Sequence, residues 1–147
     1  MRALLQRVTE AAVSVDGDEI GRIGPGLVAL IGVGRDDTHA DARTLAAKTA
    51  ALRVFDGSEG GAERSIVDIG GEVLVVSQFT LMGDTRRGNR PSWSAAAPPQ
   101  VAEPLVHAYV DALRRLVPNV AEGRFGAHMH VTLTNDGAVT VMLDGRA

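Results

Sequence analysis

The chain has 147 residues, a net charge of −3 and no cysteine. This length suits one hydrophobic core, and we expect a single domain over residues 1–147. The absence of cysteine excludes disulfides, thiolate metal sites and cysteine nucleophiles. No apolar run approaches the roughly 20 residues needed to cross a bilayer, so no membrane partner is expected. These features are compatible with a cytoplasmic location, and the net charge gives no signature of DNA or RNA binding.

The basic residues are nearly all arginines: they make up 14 of the 15, and Arg86, Arg87 and Arg90 lie within five positions. Arginine binds phosphate through two parallel hydrogen bonds, so this cluster is suited to an RNA backbone. On charge alone the plainer interpretation, a solvated loop, is favoured.

The first third of the chain is predicted to form β-strands. Short strands are expected at Ala3–Val8 and Ala11–Val15, and the Asp16-Gly17 pair is a strong turn signal. A returning strand follows at Ile20–Ile23. The nearly continuous apolar run Leu27–Val33 is typical of a strand buried on both faces.

A helix is predicted next, beginning at Thr38, which forms a capping box with Asp41. Its apolar positions recur at helical spacing: Ala42, Leu45, Ala46, Thr49 and Leu52. Phe55–Gly71 is rich in glycine and charge and is expected to be a loop. Glu72–Phe79 then returns as a strand.

The segment Met82–Pro99 shows no periodicity, and long ordered loops in compact domains are usually functional. A second helix is predicted over Val101–Leu116, with Pro104 in its first turn, where proline is tolerated.

The C-terminal part is predicted to hold three more strands joined by short connections. They lie at Val120–Phe125, His130–Thr134 and Val139–Leu143, with a turn at Asn135-Asp136-Gly137 between the last two. The expected fold is a single α/β domain with two helices and a mostly antiparallel, partly barrel-like sheet.

Common catalytic motifs are absent from the sequence, including the nucleophile elbow, the phosphate-binding loop and the dinucleotide fingerprint. His128 and His130 share a strand face and are possible metal ligands, but a third ligand must come from far away in sequence. A polar strand face without metal is the favoured interpretation.

Ser77-Gln78-Phe79-Thr80 places polar groups and an aromatic ring where a hydrophobic strand ends. Active sites often lie where a rigid strand gives way to a loop. Ser77 or Thr80 is a possible nucleophile, but neither has an adjacent histidine or lysine as an activating base. A strand end whose polar groups only satisfy the backbone is equally compatible with this pattern.

A resemblance to a known family begins at these residues. Ser77-Gln78-Phe79-Thr80-Leu81, followed by Asp84-Thr85-Arg86-Arg87-Gly88-Asn89-Arg90-Pro91-Ser92, resembles the signature of D-aminoacyl-tRNA deacylases. The similarity continues, in the same order, through Gln6-Arg7-Val8, Gly26-Leu27-Val28, Phe125-Gly126-Ala127-His128-Met129 and Asn135-Asp136-Gly137. Two separate motifs at matching positions make the resemblance specific.

The resemblance implies a tight homodimer whose sites each use residues of both subunits. It implies a pocket for the terminal adenosine and the scissile ester, lined by Ser77, Gln78, Phe79, Phe125 and Met129, and a catalytic group made up of Ser77, Gln78, Phe79 and Thr80. Among these, the backbone amide of Phe79 is the leading candidate to receive the oxyanion, and Thr80 lies close by. Phe125 and Met129 form the wall of the pocket.

The resemblance also implies a chiral gate that acts in trans, in which a turn of one subunit enters the site of the other. The family has a cis Gly-Pro pair there, whose carbonyl oxygens grip the α-ammonium and exclude an L side chain. This chain has Gly137-Ala138 instead. A cis bond costs about 2.5–4 kcal/mol before a residue other than proline, against about 0.5–1 before proline, so we expect a trans bond.

The predicted function is therefore hydrolysis of D-aminoacyl-tRNA, and of mischarged glycyl-tRNA, without a cofactor or metal. The partners are a second copy of the chain and the aminoacyl-tRNA acceptor end, not DNA. One alternative is a deacylase of relaxed stereochemistry that acts on small L-aminoacyl-tRNA because Ala138 replaces the gate proline. Others are a non-catalytic module that binds the tRNA end and a metal-dependent hydrolase that uses His128 and His130.

Overall fold

A mixed β-sheet that curls into a nearly closed barrel, with two helices packed against it, forms the fold of this chain. The structure, a computed structural model, describes residues 1–146. In chain order the elements are β1 (Arg2–Val15), β2 (Asp18–Ile23), β3 (Gly26–Gly32), α1 (His39–Ala51), β4 (Phe55–Asp56), β5 (Ala62–Arg64), β6 (Glu72–Ser77), a 3₁₀ turn (Phe79–Met82), α2 (Pro99–Arg114), β7 (Val120–Glu122) and β8 (His130–Asp144). Within residues 1–146 no helix is long and apolar enough to span a membrane.

Strand β1 is paired on both of its edges. Strand β8 runs antiparallel along one edge, whereas β3 pairs with the first half of the other edge and β2 with the second half. Two short strands were predicted here, Ala3–Val8 and Ala11–Val15, with Thr9 and Glu10 between them. In the structure the alternation of buried residues changes phase in this region. The structure has a single strand instead, since irregularities in the β1–β8 register around Val8 absorb the change of phase.

The other half of the sheet is parallel. Strand β3 pairs with β6 from Gly26–Glu72 to Ile31–Ser77, and β6 pairs with β7. The prediction of a mostly antiparallel sheet is correct for β1, β2, β3 and β8. The pairs β3–β6 and β6–β7 are the parallel minority, because α1 and α2 serve as crossover connections that bring each following strand back in the same direction.

Helix α1 has the predicted capping box: the Asp41 amide donates to Thr38 Oγ1 at 3.3 Å, and the Thr38 amide donates to Asp41 Oδ2 at 2.8 Å. Leu52, expected on the apolar face, is instead the residue that ends the helix. Helix α2 begins at Pro99, earlier than predicted, so that Pro104 lies in its second turn rather than its first. Proline suits the start of a helix because its missing N–H has no acceptor there anyway.

The C-terminal strands also differ from the prediction. Strand β7 ends at Glu122, and the two strands predicted between His130 and Leu143 are one strand, β8. Along β1 the partner changes from Thr140 to Asn135 within two residues, so residues 136–139 form a bulge instead of a hairpin turn. Gly137 has a φ of +126°, a backbone conformation that residues with a side chain rarely adopt.

Helices α1 and α2 are joined by a buried hydrogen-bond chain. The Tyr109 hydroxyl donates to Thr49 Oγ1 at 2.8 Å, and Thr49 Oγ1 donates to the Leu45 carbonyl oxygen at 2.8 Å. Both side chains are fully buried. Burial raises the pKa of Tyr109 well above its usual range, because the phenolate would lose its hydration.

This hydrogen-bond chain predicts that removing the Thr49 hydroxyl and removing the Tyr109 hydroxyl lower the stability of the protein by different amounts. Thr49→Val leaves the Tyr109 hydroxyl buried without a partner and should lower the free energy of unfolding by about 1–3 kcal/mol. Tyr109→Phe leaves the Thr49–Leu45 bond intact and should cost only about 0.5–1.5 kcal/mol. Urea unfolding of both variants and of the double variant measures this. The double variant should be more stable than Thr49→Val alone, and equal single effects that simply add would contradict the prediction.

Candidate active site

A cleft of about 510 Å³ opens where β6 ends. Strands β3 and β6 are parallel and finish side by side at Ile31 and Ser77. The carboxyl ends of parallel strands are common ligand sites. The lining residues come from both strand ends, the following loops, α2 and the start of β8: Ile31, Val33, Val76, Ser77, Gln78, Phe79, Ala97, Pro99, Ala102, Val106, Phe125, Gly126, Met129 and Val131.

The cleft brings together most of the residues expected at the site. Ser77, Gln78 and Phe79 lie at its mouth, and Phe125 and Met129 line the same space, although they are nearly 50 positions away in sequence. Phe79 keeps 56% of its side-chain surface exposed. The structure thus assembles two motifs, read separately in the sequence, around one cavity.

The backbone changes direction at the mouth of this cleft. The Gln78 amide donates to the Ile31 carbonyl at 2.7 Å, and this bond extends the β3–β6 pairing by one residue. Phe79 then begins the 3₁₀ turn. The first amides of a helical turn have no acceptor within that turn, and this applies to the Phe79 amide.

Thr80 is exposed and does not line the cleft, but it accepts a hydrogen bond from Gln78 Nε2. Its hydroxyl is therefore held beside the mouth through Gln78. Among the lining residues that the structure describes, none has a titratable side chain. Neither Ser77 nor Thr80 has a basic group in the cleft to activate its hydroxyl.

Sequence reasoning missed the contribution of α2 to the cleft. Ala102 and Val106 were predicted only to lie within the second helix, with no role assigned, and both line the cavity together with Pro99. Their spacing at i and i+4 places them on one face, a pattern that also describes core residues. The small side chain of Ala102 is compatible with a cavity, but nothing in the sequence separates that role from packing.

Gly137 and Ala138 do not line the cleft of their own chain. Their bulge adjoins Arg7, which pairs with Leu27 of β3, and Leu27 in turn pairs with Val73 of β6. Val73 precedes Ser77 by four residues, which corresponds to about 13 Å along a strand. The bulge therefore lies toward the opposite end of β6 from the cleft.

The Gly137–Ala138 peptide bond is cis, so the expectation of a trans bond is wrong. Three hydrogen bonds lie around this bond. Arg7 Nε donates to the Asp136 carbonyl at 3.0 Å, and the Asn135 side-chain amide donates to the carbonyls of Arg7 and Val139 at 2.9 and 3.1 Å. The expectation considered only the intrinsic preference of the bond and left out these contacts.

The His128 and His130 rings stack, with their centroids 5.1 Å apart. Within residues 1–146 no group of three histidine, cysteine or acidic residues is placed to hold a metal ion. His130 lines a separate groove formed by residues of β1, β2 and β8.

The arginine-rich segment forms a closed loop beside the cleft. Asp84 and Ser92 exchange two backbone hydrogen bonds of 2.8 Å at its base. Arg86 binds the Asp84 carboxylate through two nitrogens at 2.7 and 2.9 Å, and these hydrogen bonds lower the pKa of Asp84 to about 2. Trp93, directly after the loop, contacts Phe79 edge to face with ring centroids 5.6 Å apart.

Comparison with known proteins identifies a family. The family described as D-Tyr-tRNA(Tyr) deacylase matches residues 4–144. Proteins named D-aminoacyl-tRNA deacylase are 60% identical in Roseiflexus castenholzii, covering 98% of this chain and 92% of that protein, and 60% identical in Nocardia farcinica, covering 98% and 99%.

Two solved structures share the fold. One, described as c-Myc DNA Unwinding Element Binding Protein, has a TM-score of 0.93 and 37% identity and covers 98% of each chain. The other, described as a probable eukaryotic D-amino acid tRNA deacylase, has a TM-score of 0.87 at 16% identity over 97% of each chain, and at this identity it shows the fold alone.

Proposed function

This chain belongs to the D-Tyr-tRNA(Tyr) deacylase family, and we propose that it hydrolyses the ester joining a D-amino acid to the end of tRNA. The observation that carries the proposal is the cleft at the end of β6, where Ser77, Gln78 and Phe79 face Phe125 and Met129. Its volume lies within the range of small-molecule sites and suits an aminoacylated nucleoside. The products are free tRNA and the D-amino acid.

The chemistry of this substrate fits a cleft without a titratable side chain. An ester to a ribose hydroxyl is already activated, so orientation and stabilisation of charge can supply most of the catalysis. Water forms the new bond to the acyl carbon, and the bond from that carbon to the ribose oxygen breaks. The carbonyl oxygen becomes negative in between and accepts a hydrogen bond from the Phe79 amide. The attacking water loses a proton, and the neighbouring ribose hydroxyl passes it to the departing ribose oxygen.

The apolar wall accounts for recognition of the terminal nucleoside. Phe125 and Met129 present an aromatic ring and a polarisable sulfur to the cavity, and both are partly buried. An adenine base gains contact with such groups without needing a charged partner. The ester then lies toward Ser77 and the Phe79 amide at the mouth. No cofactor is required for this reaction.

The homodimer and the gate in trans are part of the same proposal. The bulge that holds Gly137 and Ala138 is too far from its own cleft to act there, so its place is in the cleft of a second subunit. Strand β8 supports association, because its outer edge has no strand partner within residues 1–146 and it leaves Val131 and Met142 exposed. A two-fold axis uses the same surface on both subunits and completes both sites at once.

A gate that works by excluding an L side chain cannot exclude glycine, which has none. Glycyl-tRNA is therefore expected to be a second substrate. The cytoplasm is the compartment proposed for this activity, since charged tRNA is used there. The absence of DNA from the partners stays a prediction.

Deacylation of matched D- and L-tyrosyl-tRNA by the purified protein tests the function. We expect the D-ester to be hydrolysed at least roughly 100-fold faster, since one steric clash of about 3 kcal/mol gives such a ratio. Equal rates would favour a deacylase of relaxed stereochemistry. Binding without turnover would favour a non-catalytic module, and loss of activity with a chelator would favour metal chemistry at His128 and His130.

The site hydroxyls are expected to contribute without forming a covalent intermediate. Because no base adjoins either one, Ser77→Ala and Thr80→Val should each lower kcat/KM by less than about 100-fold, which is below the range for loss of a general acid or base. Single-turnover kinetics on D-tyrosyl-tRNA measure this. An acyl group trapped on either residue and detected by mass spectrometry would contradict the prediction.

The dimer is tested by sedimentation and by subunit mixing. Analytical ultracentrifugation at micromolar concentration should show a dimer, and a fully active monomer would rule the proposal out.

For the subunit-mixing experiment, Met129→Arg blocks the cleft and Ala138→Arg places a bulky charge in the bulge. Each variant should be inactive alone, and an equal mixture should recover about one quarter of the activity, because half of the dimers carry one intact site. No recovery after confirmed subunit exchange would exclude action in trans.

A further inference from the structure

Two large aromatic side chains lie exposed and in contact with each other beside the cleft. Phe79 and Trp93 keep 56% and 43% of their surface exposed, and their rings meet edge to face at 74°. The chain has only five aromatic residues. Single exposed apolar residues are ordinary, whereas a contacting pair next to a cavity indicates a binding surface.

The indole of Trp93 is held in a fixed position. It packs over Gly83, where an added Cβ would lie 2.5 Å from Cζ3 and 3.1 Å from Cε3, so this glycine allows the ring to approach the backbone closely. The Asp84–Ser92 backbone pair fixes the chain just before it, and the Ala96 amide donates to the Trp93 carbonyl at 3.0 Å just after it. A ring fixed in advance loses little freedom when a ligand stacks on it.

Positive charge accompanies these rings. The loop from Asp84 to Ser92 has three arginines against one acidic residue, in a chain whose net charge is −3. Asp84 neutralises Arg86. Within the part of the chain that the structure describes, Arg87 and Arg90 form no ion pair. Arg35 also reaches this surface and donates to the Ser94 carbonyl next to Trp93.

Aromatic rings flanked by unpaired arginines are the combination that binds single-stranded nucleic acid. We propose that Trp93 is a stacking platform for the cytosine base that precedes the terminal adenosine of tRNA, with Arg87 and Arg90 directed to the backbone phosphates. The inference rests on the proposed function, because it extends outward from a cleft that takes the adenosine. Phe79 lies at the mouth of the cleft and also contacts Trp93. A base stacked on Trp93 therefore belongs to the nucleotide next to the adenosine in the cleft.

The kinetic test compares two substrates that differ in length: the D-tyrosyl ester of adenosine and the D-tyrosyl ester of the trinucleotide C-C-A. Trp93→Ala should lower kcat/KM for the trinucleotide ester roughly 5- to 100-fold, the effect of losing one base–aromatic stack, and should leave the adenosine ester unchanged. Trp93→Phe should retain most of the activity on the longer ester. Leu116→Ala, another exposed apolar residue beyond the end of α2, is the matched control and should change neither rate.

A second readout does not depend on hydrolysis. Trp93 is the only tryptophan, so the fluorescence of the whole protein reports on its ring. The trinucleotide C-C-A without an attached amino acid should quench this fluorescence, whereas adenosine alone should not. Exchange of Arg87 and Arg90 for glutamine should weaken the quenching titration and reduce its dependence on salt.

Each arm can overturn the proposal. Equal loss on both esters would mean that Trp93 only supports Phe79, and no loss on either would mean that no base stacks there. Equal quenching by adenosine and the trinucleotide would also refute a separate base position. If the wild-type protein hydrolyses neither ester but the trinucleotide quenches, the platform stands and the proposed reaction fails. If both esters are hydrolysed but the trinucleotide does not quench, the proposed reaction stands and the platform fails. Circular dichroism of Trp93→Ala confirms that the variant is folded.

Discussion

Strand β1 is hydrogen-bonded on both edges along most of its length, and the arrangement of the site depends on this pairing. Its first half contributes Ala3 and Leu5 to the core under the two helices, and its second half contributes Val8, Ala11 and Val13 to a second core cluster inside the sheet. Leu5 and Ala11 are six positions apart, so strict alternation would place both side chains on the same side of the strand, yet they belong to different clusters. The register irregularity near Val8 resolves this conflict, and the four-residue bulge of β8 occurs at the same point.

This constraint separates the two parts of the expected site. Along the strand direction the bulge is level with the start of β6, whereas the cleft lies at the end of β6, because parallel strands β3 and β6 finish together at Ile31 and Ser77. Arg7 holds the bulge on the β1 side, through Asp136 and the carbonyl of Val54 at 2.8 Å. A long, rigid sheet thus positions both elements accurately but keeps them apart within one chain. Association of two chains is the simplest way for such elements to meet.

Local signals in the sequence predicted what local interactions determine. The capping box of Thr38 and Asp41 involves residues three apart. The apolar run before Ser77 predicted strand β6, although the strand ends at Ser77 and not at Phe79 as expected. The bulge was misread because Asn135-Asp136-Gly137 is a turn signal in isolation. Only pairing with β1, more than 120 positions away, makes β8 continuous. The cis bond, the parallel pairing of β6 and the role of α2 in the cleft are equally non-local, and no residue pattern specifies them.

The distribution of charge explains how an acidic chain can act on RNA. Affinity for a nucleic-acid backbone rises with the number of phosphates contacted, and a net charge of −3 opposes broad contact with a long polyanion. A deacylase gains little from such contact, since its reaction concerns one ester at the end of the strand. The cationic and aromatic groups are concentrated where our proposal places that end, between the cleft and the segment that holds Arg87, Arg90 and Trp93. Broad repulsion with local attraction favours binding of the terminus and rapid release of the deacylated tRNA, because few contacts have to break.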